Sequence, residues 1–250
     1  MRTYFSSLIT AATIAAGLTG CASPARTSVV APDYPAIVAS ADRSDADRKT
    51  DERRKPAELL AFTGVRPGMK VLDIGAGQGY GAELLARAVG PTGIVYAQNS
   101  QQLMDRLKGA LDDRLQRLPT KNIVKVVRDN EDPVPPDGRN FDLVTLHLFY
   151  HDIANLPVDR AKMNKRIFDA LKPGRLFVIT DHSAPPGAGT SATKTLHRID
   201  EEVVRREVEA AGFKLLASSD FLRNPADRRD IHFSKMEVPS DKFALKFVKP

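Results

Sequence analysis

From about residue 41 the chain alternates short, β-branched apolar runs with longer stretches whose apolar residues recur every three or four positions. The first kind predicts buried strands, the second amphipathic helices. DRKTDERRKPAELLAFTG (47–64) reads as a helix whose apolar half starts at Pro56 and ends at Gly64. MKVLDIG (69–75) is a strand, and YGAELLARAVG (80–90) a helix closed by Gly90. GIVYAQN (93–99) is a second strand, followed by one helix over 100–118 with Ser100 as its cap. IVKVVRD (123–129), FDLVTLHLFY (141–150) and KPGRLFVITDH (172–182) are further strands, with a helix over 158–171 before the last. After a long polar loop, IDEEVVRREVEAAG (199–212) is a helix, and FKLLASSDFL (213–222) and KFALKFVK (242–249) are strands. Alternation of this kind predicts an α/β fold, a mostly parallel sheet with helices on both faces. The last two strands have no helix between them and are expected to pair antiparallel.

The start of the chain follows a different pattern. LITAATIAAG (8–17) is apolar but too short to span a bilayer, and LTGC (18–21) follows it with the sole cysteine. Leu, a small residue, Gly and Cys resemble the bacterial lipoprotein cleavage box. That resemblance implies a signal peptide over 1–20 and a lipid anchor on Cys21. With Ala22 next, it implies export to the periplasmic side of the envelope, at the outer membrane. Residues 21–40 are rich in proline and small polar residues and read as a flexible tether, leaving 41–250 as the folded domain.

Composition narrows the options. With 42% apolar and 27% charged residues, the 250-residue chain has the balance of one globular domain. Its net charge is +6, but basic residues alternate with acids, as in ADRSDADRKTDERRK (41–55). This reads first as a solvated surface and second as a weak attraction to anionic lipid or glycan. Aromatics make up 6% and Trp is absent, so no stacking platform for single-stranded nucleic acid is expected. One cysteine excludes an intramolecular disulfide and a thiolate metal cluster.

VLDIGAGQGYG (71–81) joins the first strand to a helix, with Gly75, Gly77 and Gly79 where a backbone would approach a ligand. The spacing also satisfies a dinucleotide fingerprint. However, Asp73 at the strand end would repel a pyrophosphate, and the second strand ends in Gln98 and Asn99 rather than an acid. Together with FDLVTL (141–146) and LKPGRLFVI (171–179), the loop resembles the class I S-adenosylmethionine-dependent methyltransferases, over roughly residues 56–250. The resemblance implies a doubly wound, Rossmann-like, seven-stranded sheet of order 3-2-1-4-5-7-6. It implies S-adenosylmethionine as cofactor, with its amino-acid part held by Asp73 and the Gly75–Gly79 loop. Gln98 or Asn99 would take the ribose hydroxyls, and Asp129 with Asn130 the adenine amino group. Residues 181–200 and 220–230 further resemble a group of exported bacterial methyltransferases.

Methyl transfer needs alignment of nucleophile and methyl, and often removal of a proton. The strand ends supply candidates. His151 and Asp152 follow strand four, and Asp181 and His182 end strand five. His147 reads as structural, because its neighbours are apolar. Each histidine also has a plain alternative as a hydrogen-bonded strand-end residue. The catalytic candidates are thus His151, Asp152 and His182, with His197 and Arg198 closing the loop back toward them. His151, Asp152, Asp181 and His182 are metal-ligand types without a diagnostic spacing, and no metal is expected. The loop 183–195 is expected to act as a lid. The expected function is methyl transfer to an O, N or S nucleophile of a small-molecule or envelope acceptor. The alternative is a non-catalytic nucleoside-binding or scaffolding lipoprotein.

Overall fold

The computed structural model describes Met1 and residues 30–250. The expected signal segment, Cys21 and the first part of the tether lie outside the described residues. The remainder of the tether differs from expectation. Asp33 caps a short helix, α1 (Tyr34–Val38), and the Tyr34 hydroxyl donates to the Val65 carbonyl at 2.7 Å. Burying that ring fixes the segment against the domain.

Two further helices precede the sheet, α2 (Asp45–Arg54) and α3 (Pro56–Thr63). Lys55 between them is left-handed, so the single helix expected over 47–64 breaks before Pro56, whose ring forbids a continuous ladder. Seven strands follow: β1 (Lys70–Ile74), β2 (Ile94–Asn99), β3 (Ile123–Val127), β4 (Phe141–His147), β5 (Leu171–His182), β6 (Lys214–Ser219) and β7 (Lys242–Val248). Their order is β3-β2-β1-β4-β5-β7-β6, as expected. β7 runs antiparallel to β5 and β6, and the other pairs are parallel.

Strand alternation divides the core into two layers. Val71, Leu143 and Val178 pack under α3 and α4 (Tyr80–Val89). Leu72, Ile74, Leu146 and Ile179 face the other side, under α8 (Arg160–Ala170) and α10 (Glu201–Ala210). The helix expected over 100–118 is two, α5 (Gln101–Leu107) and α6 (Ala110–Arg117). Lys108 and Gly109, both at positive φ, turn the chain between them.

That turn lets Arg114 of α6 reach inward. Its guanidinium binds Asp47 of α2 at 2.7 and 2.9 Å and Glu83 of α4 at 2.6 Å. Its Nε donates to the Gln78 carbonyl at 2.7 Å. All three charged side chains are buried. Arg114→Met strands the buried Asp47 carboxylate and leaves Glu83 with Arg87 alone, and should destabilise the fold by about 3–5 kcal/mol. Denaturant unfolding measures this, and adding Asp47→Asn and Glu83→Gln should recover part of the loss.

Candidate functional site

The strand order reverses between β1 and β4, and a crevice opens beyond the carboxyl ends of these strands. The 75–79 loop forms one wall. A Cβ on Gly75 would lie 2.3 Å from the Phe149 ring, and one on Gly79 2.9 Å from Leu111 and 3.1 Å from Arg114. Packing therefore requires those two glycines. Gly77 differs: φ is +57 and nothing lies within 4 Å of its Cβ position, so this stretch of backbone is open to a ligand.

Gln98 and Asn99 brace the loop. The Gln98 amide accepts from Gly75 N–H at 3.2 Å and donates to the Arg128 carbonyl at 2.7 Å. The Asn99 amide accepts from Gly77 N–H at 2.9 Å and donates to its carbonyl at 3.0 Å. Both side chains are fully buried, and their amides are committed to the loop and to the Arg128 carbonyl rather than open to ribose hydroxyls. Asp129 is exposed. Asn130 is buried, and its Oδ1 has no partner among the described residues.

Asp73 and Thr145 are register partners on adjacent strands, and the Thr145 hydroxyl donates to Asp73 Oδ1 at 2.8 Å. Asp73 Oδ2 faces Gly81 and accepts no hydrogen bond among the described residues. Burial pushes this carboxyl up to about 6, against the Thr145 hydrogen bond and the charge of Arg54. It lines a cavity of about 50 Å³ with Ala76, His147, Leu148, Arg54 and Lys242. His147 meets the Thr180 hydroxyl at 3.1 Å, and burial lowers it to about 3, so it stays neutral.

Leu148 adopts φ +55, a strained conformation for a leucine. This turn ends β4 and seats Phe149 on Gly75. It also starts α7 (Tyr150–Ile153) so that His151 meets β5. Asp181, fully buried, accepts from the backbone N–H groups of His151 and His182 at 2.8 Å each. It also meets His151 Nδ1 at 2.6 Å. Burial lowers the affinity of His151 for a proton, but the charge and hydrogen bond of Asp181, with Asp152, outweigh this and raise it above the ordinary value.

A second cavity, about 400 Å³, is lined by His151, Asp152, His182, His197, Phe233 and Lys242. His182 Nδ1 is 2.7 Å from the Ser240 hydroxyl, and its ring stacks on Phe233 at 4.0 Å. Burial and the neighbouring His151 and Lys242 push it far below the ordinary value, so it forms a neutral wall. Of the catalytic candidates, His151 and Asp152 present polar atoms to this cavity. His197 joins them across 3.1 Å to Asp152, and His232 packs on His197. Arg54, Leu148 and Lys242 line both cavities. No pattern in the sequence marks Arg54, Phe233 or Lys242, which come from segments far apart in the chain. The loop 183–195 is not loose throughout. Ser183 and Ala184 are buried, and Asp200 accepts from Gly187 N–H at 2.7 Å.

Residues 47–218 match the methyltransferase domain family. The chain belongs to this family. S-adenosylmethionine is the cofactor that the family and fold imply. The ubiquinone/menaquinone biosynthesis C-methyltransferase UbiE of Cupriavidus necator is 32% identical over 50% of this chain and 47% of its own length. That of Shewanella pealeana is 26% identical over 75% of this chain and 66% of its own length. The chain thus spans about half to two thirds of these curated relatives. A SAM-dependent methyltransferase from Aquifex aeolicus superposes with a TM-score of 0.58 at 20% identity, over 83% of this chain and all of that one. The [4+2]-cyclase SpnF superposes equally well, with a TM-score of 0.58 at 18% identity, over 82% of this chain and 81% of that one. These likenesses show the fold.

The residues present fit the implied cofactor at two points. Asp73 Oδ2 and Asn130 Oδ1 are acceptors without donors at the ends of β1 and β3, where an ammonium and an aromatic amine can supply them. The cost of burying Asp73 is itself testable. Its unfolded carboxyl ionises near 3.8 and its folded one near 6, so the folded state binds the proton more tightly. The penalty grows between those values and is complete above about pH 6, at roughly 3 kcal/mol. Asp73→Asn, which still accepts from Thr145, should be more stable than the wild type at pH 8 by up to that amount. Denaturant unfolding should show the difference shrinking toward pH 4.

Proposed function

We propose that the chain is an S-adenosylmethionine-dependent methyltransferase acting on an acceptor seated in the 400 Å³ cavity. The observation that carries this reading is the shared wall of the two cavities. Arg54, Leu148 and Lys242 border both the Asp73 crevice and the imidazole-lined chamber, so a group bound in one abuts a group bound in the other.

When bound, the cofactor supplies an electrophilic methyl group on a sulfonium. Asp73 Oδ2 accepts from its ammonium, and Asn130 Oδ1, with Asp129 at the same turn, from its adenine amine. The backbone at Gly77 lies against it, and Gln98 and Asn99 hold the loop in shape. In the second cavity, His151 and Asp152 present polar atoms to the acceptor, while His182 and Phe233 form an uncharged, stacked wall. The acceptor is an O, N or S nucleophile, and the names of the C-methyltransferase relatives add an activated carbon. LTGC (18–21) supports a lipid anchor at Cys21 and a site on the periplasmic side of the outer membrane. The size of this cavity, about 400 Å³, supports a small-molecule or envelope acceptor over nucleic acid. The committed amides of Gln98 and Asn99 favour a second reading, a binding module on the same fold.

Calorimetric titration of the full chain in detergent with S-adenosylmethionine and S-adenosylhomocysteine separates these readings. Saturable binding of both is expected, weakened about ten- to hundredfold in Asp73→Ala through loss of a charge-assisted contact. No binding up to millimolar ligand would leave the binding-module reading. Metabolic labelling with a fatty acid should mark the wild type and not Cys21→Ser, and an unlabelled wild type would remove the anchor.

A further inference from the structure

Asp152 Oδ1 has two imidazole nitrogens beside it, His197 Nδ1 at 3.1 Å and His151 Nε2 at 3.5 Å. One ligand atom from each of the three residues lies within 4.8 Å of the others. Ligands about 2.0–2.2 Å from one ion, at tetrahedral or octahedral angles, sit roughly 3.0–3.5 Å apart. The two Asp152 distances have this spacing.

The orientation of His151 points the same way. Asp181 accepts from two backbone N–H groups, so the His151 Nδ1 at 2.6 Å from it is the protonated nitrogen. Nε2 is then the ring nitrogen left to a ligand, and it faces the Asp152 carboxylate oxygen at 3.5 Å. A buried carboxylate on the far nitrogen is also the partner that fixes the tautomer of a metal-bound histidine. His197 is held for this contact by a backbone at φ +50 at the end of α9 (Thr193–Leu196).

We infer that His151, Asp152 and His197 form a divalent-cation site in the wall of the acceptor cavity, with Asp181 as its positioning residue. The ligand set, two imidazoles and one carboxylate, suits zinc, cobalt, manganese or iron in the divalent state. The protein supplies three ligands, and the remaining positions open into the cavity. An acceptor hydroxyl or thiol bound there loses its proton to solvent at lower pH than in water. Its anion forms the new bond to the methyl carbon as the carbon–sulfonium bond breaks, the electron pair remaining on sulfur. This chemical role rests on the methyltransferase reading, whereas the cation site itself can be tested without cofactor or acceptor.

The test uses the full, untagged chain in detergent, stripped with chelator and titrated with Co²⁺ and then Zn²⁺. One equivalent of Co²⁺ should bind with visible d–d absorption and be displaced by Zn²⁺. Asp152→Asn and His197→Ala alter half-exposed side chains and should fold, as circular dichroism would verify, yet lose the signal. Asp181→Asn should weaken binding roughly 10–100-fold. No absorption at millimolar Co²⁺, or absorption unchanged in Asp152→Asn and His197→Ala, would overturn the site. S-adenosylmethionine titration of the same sample separates the two readings. Cofactor binding without Co²⁺ binding overturns the cation site alone. Co²⁺ binding without cofactor binding supports the site and overturns the methyl-transfer role.

Discussion

The guanidinium of Arg114 ties together the parts on which the crevice depends. It joins α2, α4 and α6 through Asp47 and Glu83 and holds the glycine loop through the Gln78 carbonyl. Its stem also fills the space left by the missing side chain of Gly79. A buried charge is tolerated when its donors find acceptors, and here the acceptors come from three segments, α2, α4 and the glycine loop. The N-terminal helices are therefore part of the site's frame. Asp51 strengthens this frame, accepting from Arg43 at 2.6 Å and from the Tyr80 hydroxyl, also at 2.6 Å.

Beyond that frame, the strained Leu148 decides how the crevice is divided. An ordinary continuation of β4 would carry Phe149 and His151 away from the sheet. The left-handed turn instead returns Phe149 to Gly75 and delivers His151 to Asp181. The resulting surface has graded charge: an acid at Asp73, cations at Arg54 and Lys242, then a group of imidazoles. Arg54 lies 5.0 Å from the centre of the Tyr80 ring and has no carboxylate partner among the described residues. Burial, with Arg54 and Arg53 nearby, lowers Lys242 to about 8. Adjacent cations in a desolvated wall suit a negatively charged group in the crevice.

The family match ends at residue 218, yet Phe233, Ser240 and Lys242 help form the 400 Å³ cavity. Both cavities thus combine residues of the shared domain with residues beyond it, Lys242 lining the two. This arrangement fits a fold common to a methyltransferase and a cyclase, since the chemistry follows from what the strand ends and their loops present.

Periodicity alone made the alternating strands and helices legible, because a buried strand and an amphipathic helix each impose a local repeat. The motif resemblance added the strand order, and the sheet has it. The glycine loop and Asp73 were readable because they adjoin in the chain. Local readings failed where a distant contact decided the outcome. Tyr34 finds Val65, so part of the expected tether packs as a helix. Gly109 and Lys108 split a helix that propensity would have continued. Gln98 and Asn99 turn toward the loop rather than outward, because its N–H groups offer partners the sequence does not reveal. The histidines at 147, 151, 182 and 197 stood out as a group, but only tertiary structure separated them. His147 and His182 are engaged by hydroxyls, whereas His151 and His197 converge on Asp152. Sequence fixes which groups a chain carries, and packing fixes which of their atoms remain free.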